Sequence, residues 1–116
     1  MKSHSHYMRI TALSLLTLAL FIPQPASAAD TTAAAVAIKI DNFSFNPPTI
    51  TVRAGTQVTW TNQDDIPYTV VSDDKTTFKS RALDTDEKFS FTFTKPGIYE
   101  YFCSIHPHMT AKVIVQ

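Results

Sequence analysis

The sequence predicts an all-β chain, a sandwich of seven or eight short strands in two antiparallel sheets packed face to face. Three observations carry that reading: apolar and polar residues alternate with a period of two, turn residues recur between the alternating runs, and almost nothing repeats at helical spacing. Alternation of this kind turns one face of each strand to a core and the other to water.

The first element lies outside the fold. Lys2 and Arg9 precede an apolar run over residues 10–22, followed by Pro23, Pro25 and the small-residue site Ala26, Ser27, Ala28, which is the layout of a secretory signal peptide. The run falls short of the about 20 residues that a membrane helix needs. Residues 1–28 are therefore expected to be a cleaved leader that sends the chain to the periplasm or otherwise out of the cytoplasm, with no stable membrane insertion afterwards. Residues 29–35, mostly Thr and Ala, read as a flexible lead-in, and residues 36–116 as the domain.

Within the domain, Val36, Ile38 and Ile40 mark the first strand. Residues 49–53 and 56–61 follow, with Ile50, Val52, Val58 and Trp60 on a buried face, separated by the turn at Ala54-Gly55. Pro47 and Pro48 break the chain before the second run, and Phe43 and Phe45, two apart, are expected to plug one end of the core. Residues 68–72 form a further short strand with Val70 and Val71, then Asp73-Asp74-Lys75 is a solvated turn. Residues 76–86 read as loop with at most a short strand. Residues 88–94 give the cleanest alternation, Phe89, Phe91 and Phe93 facing inward, and Pro96-Gly97 turns the chain into a strand over 98–102 before the last one at 112–115.

Charge narrows the partners. The ten basic and ten acidic residues cancel over the whole chain, but without Lys2 and Arg9 eight basic residues face ten acidic ones, a net charge of about −2. No basic stripe remains for a nucleic acid. His4 and His6 would leave with the leader and carry no metal-binding role, so the mature histidines are His106 and His108.

A domain this small buries a modest core, and exported domains of its size usually add disulfides. Cys103 is the single cysteine, so no intrachain bridge can form, and a metal is the leading reason for keeping a thiol in an oxidising compartment. Cys103-Ser-Ile-His106-Pro-His108-Met109 lies between the last two strands and sets a thiol, an imidazole and a thioether three residues apart on one turn. Singly, each has an ordinary use: a buried small hydrophobe, a surface histidine, core filler. Together, soft sulfur and imidazole suit copper, and one cysteine with two histidines and a weak axial methionine defines blue-copper electron-transfer sites.

Val58-Thr-Trp60-Thr-Asn62 leading to Asp65-Ile-Pro67, then Pro96-Gly97-Ile-Tyr99-Glu-Tyr101-Phe-Cys103, then His106 and Met109 before Lys112-Val-Ile-Val115, resemble the cupredoxins, and among them the small plastocyanin and amicyanin group. The similarity runs over residues 36–115, and the short Cys-x-x-His-x-x-Met loop is most like that of amicyanin. The resemblance implies a Greek-key β-sandwich holding one copper ion, with Cys103 as thiolate ligand, His106 as exposed imidazole ligand and Met109 as weak axial ligand. It also implies electron transfer between larger redox proteins; the chain is expected to be a monomer and to dock on them transiently through an apolar patch at Ile105 and Pro107 beside His106.

One ligand is missing. In the family the strand after the Asn-x-Asp-x-x-Pro segment begins with the remaining histidine, and here Tyr68 follows Pro67, with Thr69 where an Asn is common. Three readings stay open: a remodelled copper site completed by Tyr68 phenolate, water or His108; a metal-free binding or structural module whose emptied site Tyr68 caps; or a Cu(I) carrier. His108 stands where the family has a non-ligand and is expected to be exposed. An enzyme is not expected, because Cys103 and His106 lack an orienting third group, and the adjacent acids Asp64-Asp65 and Asp73-Asp74 read as solvated turns rather than acid/base pairs or calcium ligands.

Overall fold

The computed structural model describes residues 2, 16–23 and 34–116. The chain divides into two units, Met1–Asp30 and Thr31–Gln116. In the first, residues 16–23 form neither helix nor strand and expose Leu16, Leu18, Leu20, Phe21 and Ile22. The cleavage site at Ala26-Ser27-Ala28, most of the lead-in, and His4 and His6 lie outside the described residues. Among those residues no helix is long and apolar enough to cross a membrane.

The second unit is two four-stranded sheets. Strands run in chain order as β1 (Ala35–Asp41), β2 (Ser44–Asn46), β3 (Thr49–Val52), β4 (Thr56–Asn62), β5 (Val71–Ser72), β6 (Lys88–Phe93), β7 (Gly97–Phe102) and β8 (Thr110–Val115). One sheet has the order β2-β1-β4-β6 and the other β3-β8-β7-β5. β1 begins at Ala35, inside the segment read as lead-in, where it pairs with Gln57.

The expectation of purely antiparallel sheets is corrected: β1 runs parallel to β4, and β3 parallel to β8. The cause is the Pro47-Pro48 break. After the β1–β2 hairpin the chain crosses there to the opposite sheet as β3, turns at Gly55, and returns as β4 beside β1 in the same direction. Gly55 sits at φ +93°, a backbone state open to glycine, and its amide donates to the Phe93 carbonyl at 2.6 Å.

The inward residues of both sheets form one core. Trp60 is wholly buried, its indole Nε1 donates to the Tyr101 hydroxyl at 3.1 Å, and its ring meets those of Phe78, Phe89 and Phe93. Each such ring contributes about 1.5–3 kcal/mol of apolar transfer free energy, with about 0.5–1.5 kcal/mol for a well-placed aromatic pair. This packing stands where a disulfide might, since Cys103 is a free thiol.

Two local readings change. Phe45 does plug the core, but Phe43 is 57% exposed because it occupies the hairpin turn rather than a strand. The regular part of the 68–72 run is β5 alone. Residues 78–83 pair irregularly along it instead, through Ser72 N to Phe78 O, Ser80 N to Val70 O, and reciprocal bonds between Tyr68 and Leu83. That ragged strip buries Phe78 and Leu83 and covers the Tyr68 end of the sandwich.

Candidate metal centre

Cys103 follows directly on β7 and is fully buried, whereas His106 is half-buried and Met109 closes the loop just before β8. The loop is held by its own backbone: Met109 N donates to His106 O at 2.9 Å and Cys103 N to Met109 O at 3.1 Å. This folding brings Cys103 Sγ to 3.7 Å from His106 Nδ1. Two ligand bonds of about 2.3 Å to sulfur and about 2.1 Å to imidazole nitrogen span at most about 4.4 Å, so one soft ion can be reached by both without moving either. Met109 belongs to the same buried cluster as Cys103. Among the described residues no three His, Cys, Asp or Glu side chains group as they would around a metal ion; besides Cys103 and His106 the loop offers the thioether of Met109.

Thr69 serves the sulfur from the neighbouring segment. Its amide donates to Cys103 Sγ at 3.3 Å, and its hydroxyl lies 3.7 Å from the same atom. Ser104 N donates to Thr69 Oγ1 at 2.7 Å, and the two hydroxyls share a bond of 2.7 Å. If Ser104 Oγ donates to Thr69, the Thr69 proton is free for the sulfur. Thr69 thus supplies hydrogen bonds of the kind that orient and tune a metal-bound thiolate.

Tyr68 is buried, with its ring centroid 5.2 Å from that of His106. Its hydroxyl turns to another task, donating to Asp64 Oδ2 at 2.6 Å and accepting from Phe43 N at 3.1 Å. Asp64 Oδ2 also accepts Asn42 N at 2.9 Å. The Tyr68 hydrogen bond is the main cause that holds the Asp64 carboxyl down at about 2, while burial first and Asp64 next push the Tyr68 phenol up to about 12. A phenol so placed keeps its proton at neutral pH.

The Asp64–Tyr68 pair clamps the β1–β2 turn. Asn42 and Phe43 have φ of 48° and 55°, the pattern of a two-residue type I′ hairpin. The left-handed region costs a residue such as Phe about 1–2 kcal/mol, and the two amide bonds to the pair offset it. In return Phe43 stands edge-on to His106, centroids 5.1 Å apart at 88°. Phe43, Ile105, His106, Pro107, His108 and Met109 together line a surface depression of about 440 Å³. Ile105 is 43% exposed, and Pro107 and His108 are exposed as well.

A family model described as Cupredoxin-like domain matches residues 12–115. The chain belongs to the cupredoxin-like family. Amicyanin of Paracoccus versutus is 35% identical to this cupredoxin over 99 residues, covering 80% of this chain and 74% of its own. The chloroplastic plastocyanin of Tetradesmus obliquus is 37% identical over 84 residues, 62% of this chain and 58% of its own. In structure, the purple cupredoxin from Nitrosopumilus maritimus is similar with a TM-score of 0.63 at 32% identity, covering 72% of this chain and 99% of that one. This is a cupredoxin of the plastocyanin and amicyanin kind with an all-β sandwich, as its motifs led one to expect.

Cys103 Sγ and His106 Nδ1 meet on one loop in this cupredoxin, Met109 is tied to both residues by backbone hydrogen bonds, and His108 lies exposed. Sequence reasoning passed over Asp64, read as a solvated acid, and the part played by Phe43. The signal for the turn was Asn42 flanked by two strand runs, since Asn tolerates positive φ; nothing local marked Phe43 as its partner in that turn.

Proposed function

We propose that this cupredoxin is an exported copper protein that carries single electrons between larger redox proteins, and that it is not an enzyme. The observation that carries the reading is the 3.7 Å approach of Cys103 Sγ to His106 Nδ1 on a loop closed by Met109, within a cupredoxin sandwich. Cys103, His106 and Met109 would hold the ion, and a bound copper would supply a one-electron couple. Tyr68 is not a ligand in this reading, because its hydroxyl is engaged by Asp64 and the Phe43 amide.

The chain's own residues do the rest. The strand ends and the loop's backbone bonds fix the donors before any metal arrives, which limits rearrangement when charge changes. Thr69 orients the sulfur. His106 reaches the surface within the apolar depression, where Ile105 and Pro107 form a patch suited to the small interfaces of transient redox encounters. The protein acts as a monomer, and the leader over residues 1–28 sends it to the periplasm or a comparable exported compartment.

The test is metal analysis after copper loading and desalting, followed by voltammetry. Wild-type protein should retain one copper per chain and show a reversible one-electron wave, and Cys103→Ser should lose both. Wild-type protein that retains no copper would overturn the proposal in favour of a metal-free binding module.

A further inference from the structure

We propose that Tyr68 fits this centre to Cu(I), leaving Cys103, His106 and Met109 as a three-donor set that binds Cu(I) in preference to Cu(II). The inference rests on the reading that copper sits at these residues. At position 68, where the resemblance implies a fourth donor, the chain presents a carbon ring whose centroid lies 5.2 Å from that of the His106 imidazole. The ring's one polar atom is taken up elsewhere: the hydroxyl donates to Asp64 Oδ2 and accepts the Phe43 amide, while the sulfur's partners are Thr69 and His106.

Chemistry then separates the two oxidation states. Cu(II) favours tetragonal sets rich in nitrogen and oxygen, whereas thiolate and thioether select Cu(I). Two sulfurs and one imidazole meet the second demand and not the first. The ring is wholly buried, with Phe43 and His106 packed against it, so it offers that side carbon in place of a ligand. Asp64 and the 42–43 turn make this arrangement rigid, since swinging the phenol toward the loop would break the Asp64 bond and leave the Phe43 amide without its acceptor.

Separate measurements of Cu(I) and Cu(II) affinity test the idea, each by competition with a chromogenic chelator for that ion, on wild type, Tyr68→His, Tyr68→Phe, His108→Ala and Cys103→Ser. Tyr68→His should raise Cu(II) affinity at least about tenfold more than Cu(I) affinity, equivalent to lowering the one-electron potential by about 59 mV or more. Tyr68→Phe and His108→Ala should leave the ratio of the two affinities unchanged. The proposal is overturned if Tyr68→His moves both affinities equally, if Tyr68→Phe weakens Cu(II) binding, which would make the phenol a ligand, or if His108→Ala does so, which would make His108 the fourth donor. Should Tyr68→His fail to fold, wild type itself decides: Cu(I) affinity above Cu(II) affinity is the result expected, and Cu(II) affinity equal to or above Cu(I) affinity overturns the proposal. Equal Cu(I) binding by wild type and Cys103→Ser refutes the location of the copper itself, and the proposal with it, whereas Cu(I) binding that needs Cys103 together with an unchanged ratio in Tyr68→His refutes only the role of Tyr68.

Discussion

Asn62 is the residue on which the approach to the centre hangs, and Asn62→Ala tests how much. The side chain is fully buried at the end of β4. Its Nδ2 donates to the carbonyls of Ile66 and Leu83, both at 2.8 Å, and its Oδ1 accepts Asp64 N at 2.9 Å. Truncation removes three hydrogen bonds at about 1 kcal/mol each, a loss of about 3 kcal/mol. The Leu83 carbonyl keeps the Tyr68 amide as a partner, so the larger penalty of a fully orphaned buried group does not apply to it. A domain of this size has a total stability of about 4–12 kcal/mol at about 0.05–0.15 kcal/mol per residue, so the variant forfeits a quarter or more of it. Urea unfolding followed by fluorescence of Trp60, the single tryptophan, reads the change. With a slope of about 1–1.5 kcal/mol per molar urea, the midpoint should fall by roughly 2–3 M. A loss below about 1 kcal/mol would mean that the loop over 63–67 is held by something other than Asn62.

Other expectations follow from the same contacts. Tyr101→Phe leaves the Trp60 indole N–H buried without its acceptor and should cost about 1–3 kcal/mol in the same unfolding assay. Asp74 accepts bonds from Ser72, Thr76 and Thr77 that hold its carboxyl well below its usual value of 3.8. A lowered folded value means that the carboxylate's contribution is complete above the unfolded value and is lost as pH falls below it toward the folded one. Thermal unfolding of Asp74→Ala should therefore lose less stability than wild type on acidification to about pH 2; equal acid sensitivity would contradict this. Ile105→Asp places a charge in the depression beside His106 and should slow electron exchange with a redox partner while leaving copper content unchanged, as stopped-flow rates and metal analysis will show.

Much of the sandwich was legible because burial alternates along strands such as β4 and β6. Val58 and Trp60 alternate with Gln57 and Thr59 along β4, and the pattern alone places them in the core. Legibility ended where the chain leaves that period. Val70, Val71 and Ser72 are all buried in succession, since residues 78–83 lie along one side of them and β7 along the other, a tertiary effect that no local pattern announces. The direction of β4 relative to β1 depends on a crossing between sheets, and alternation carries no information about direction.

Cys103, His106 and Met109 could be singled out from spacing because one loop carries all three. The set that surrounds them could not, because it is assembled from distant segments. Tyr68 invited interest as a substitute ligand, yet its hydroxyl is spoken for by Asp64, four residues earlier, and by the amide of Phe43 across the hairpin. Thr69 replaces a common Asn, and still delivers both an amide and a hydroxyl to the sulfur because Ser104 aligns it. In each case the residue type was visible and its partner was not.

X-ray absorption at the copper edge of the Cu(I)-loaded protein reads the atoms around the ion themselves. Sulfur scattering together with the outer-shell pattern of a single imidazole is the result predicted for a centre held by Cys103, Met109 and His106, and the sulfur signal should diminish in Cys103→Ser. A spectrum dominated by nitrogen or oxygen, or one requiring two imidazoles, would contradict it.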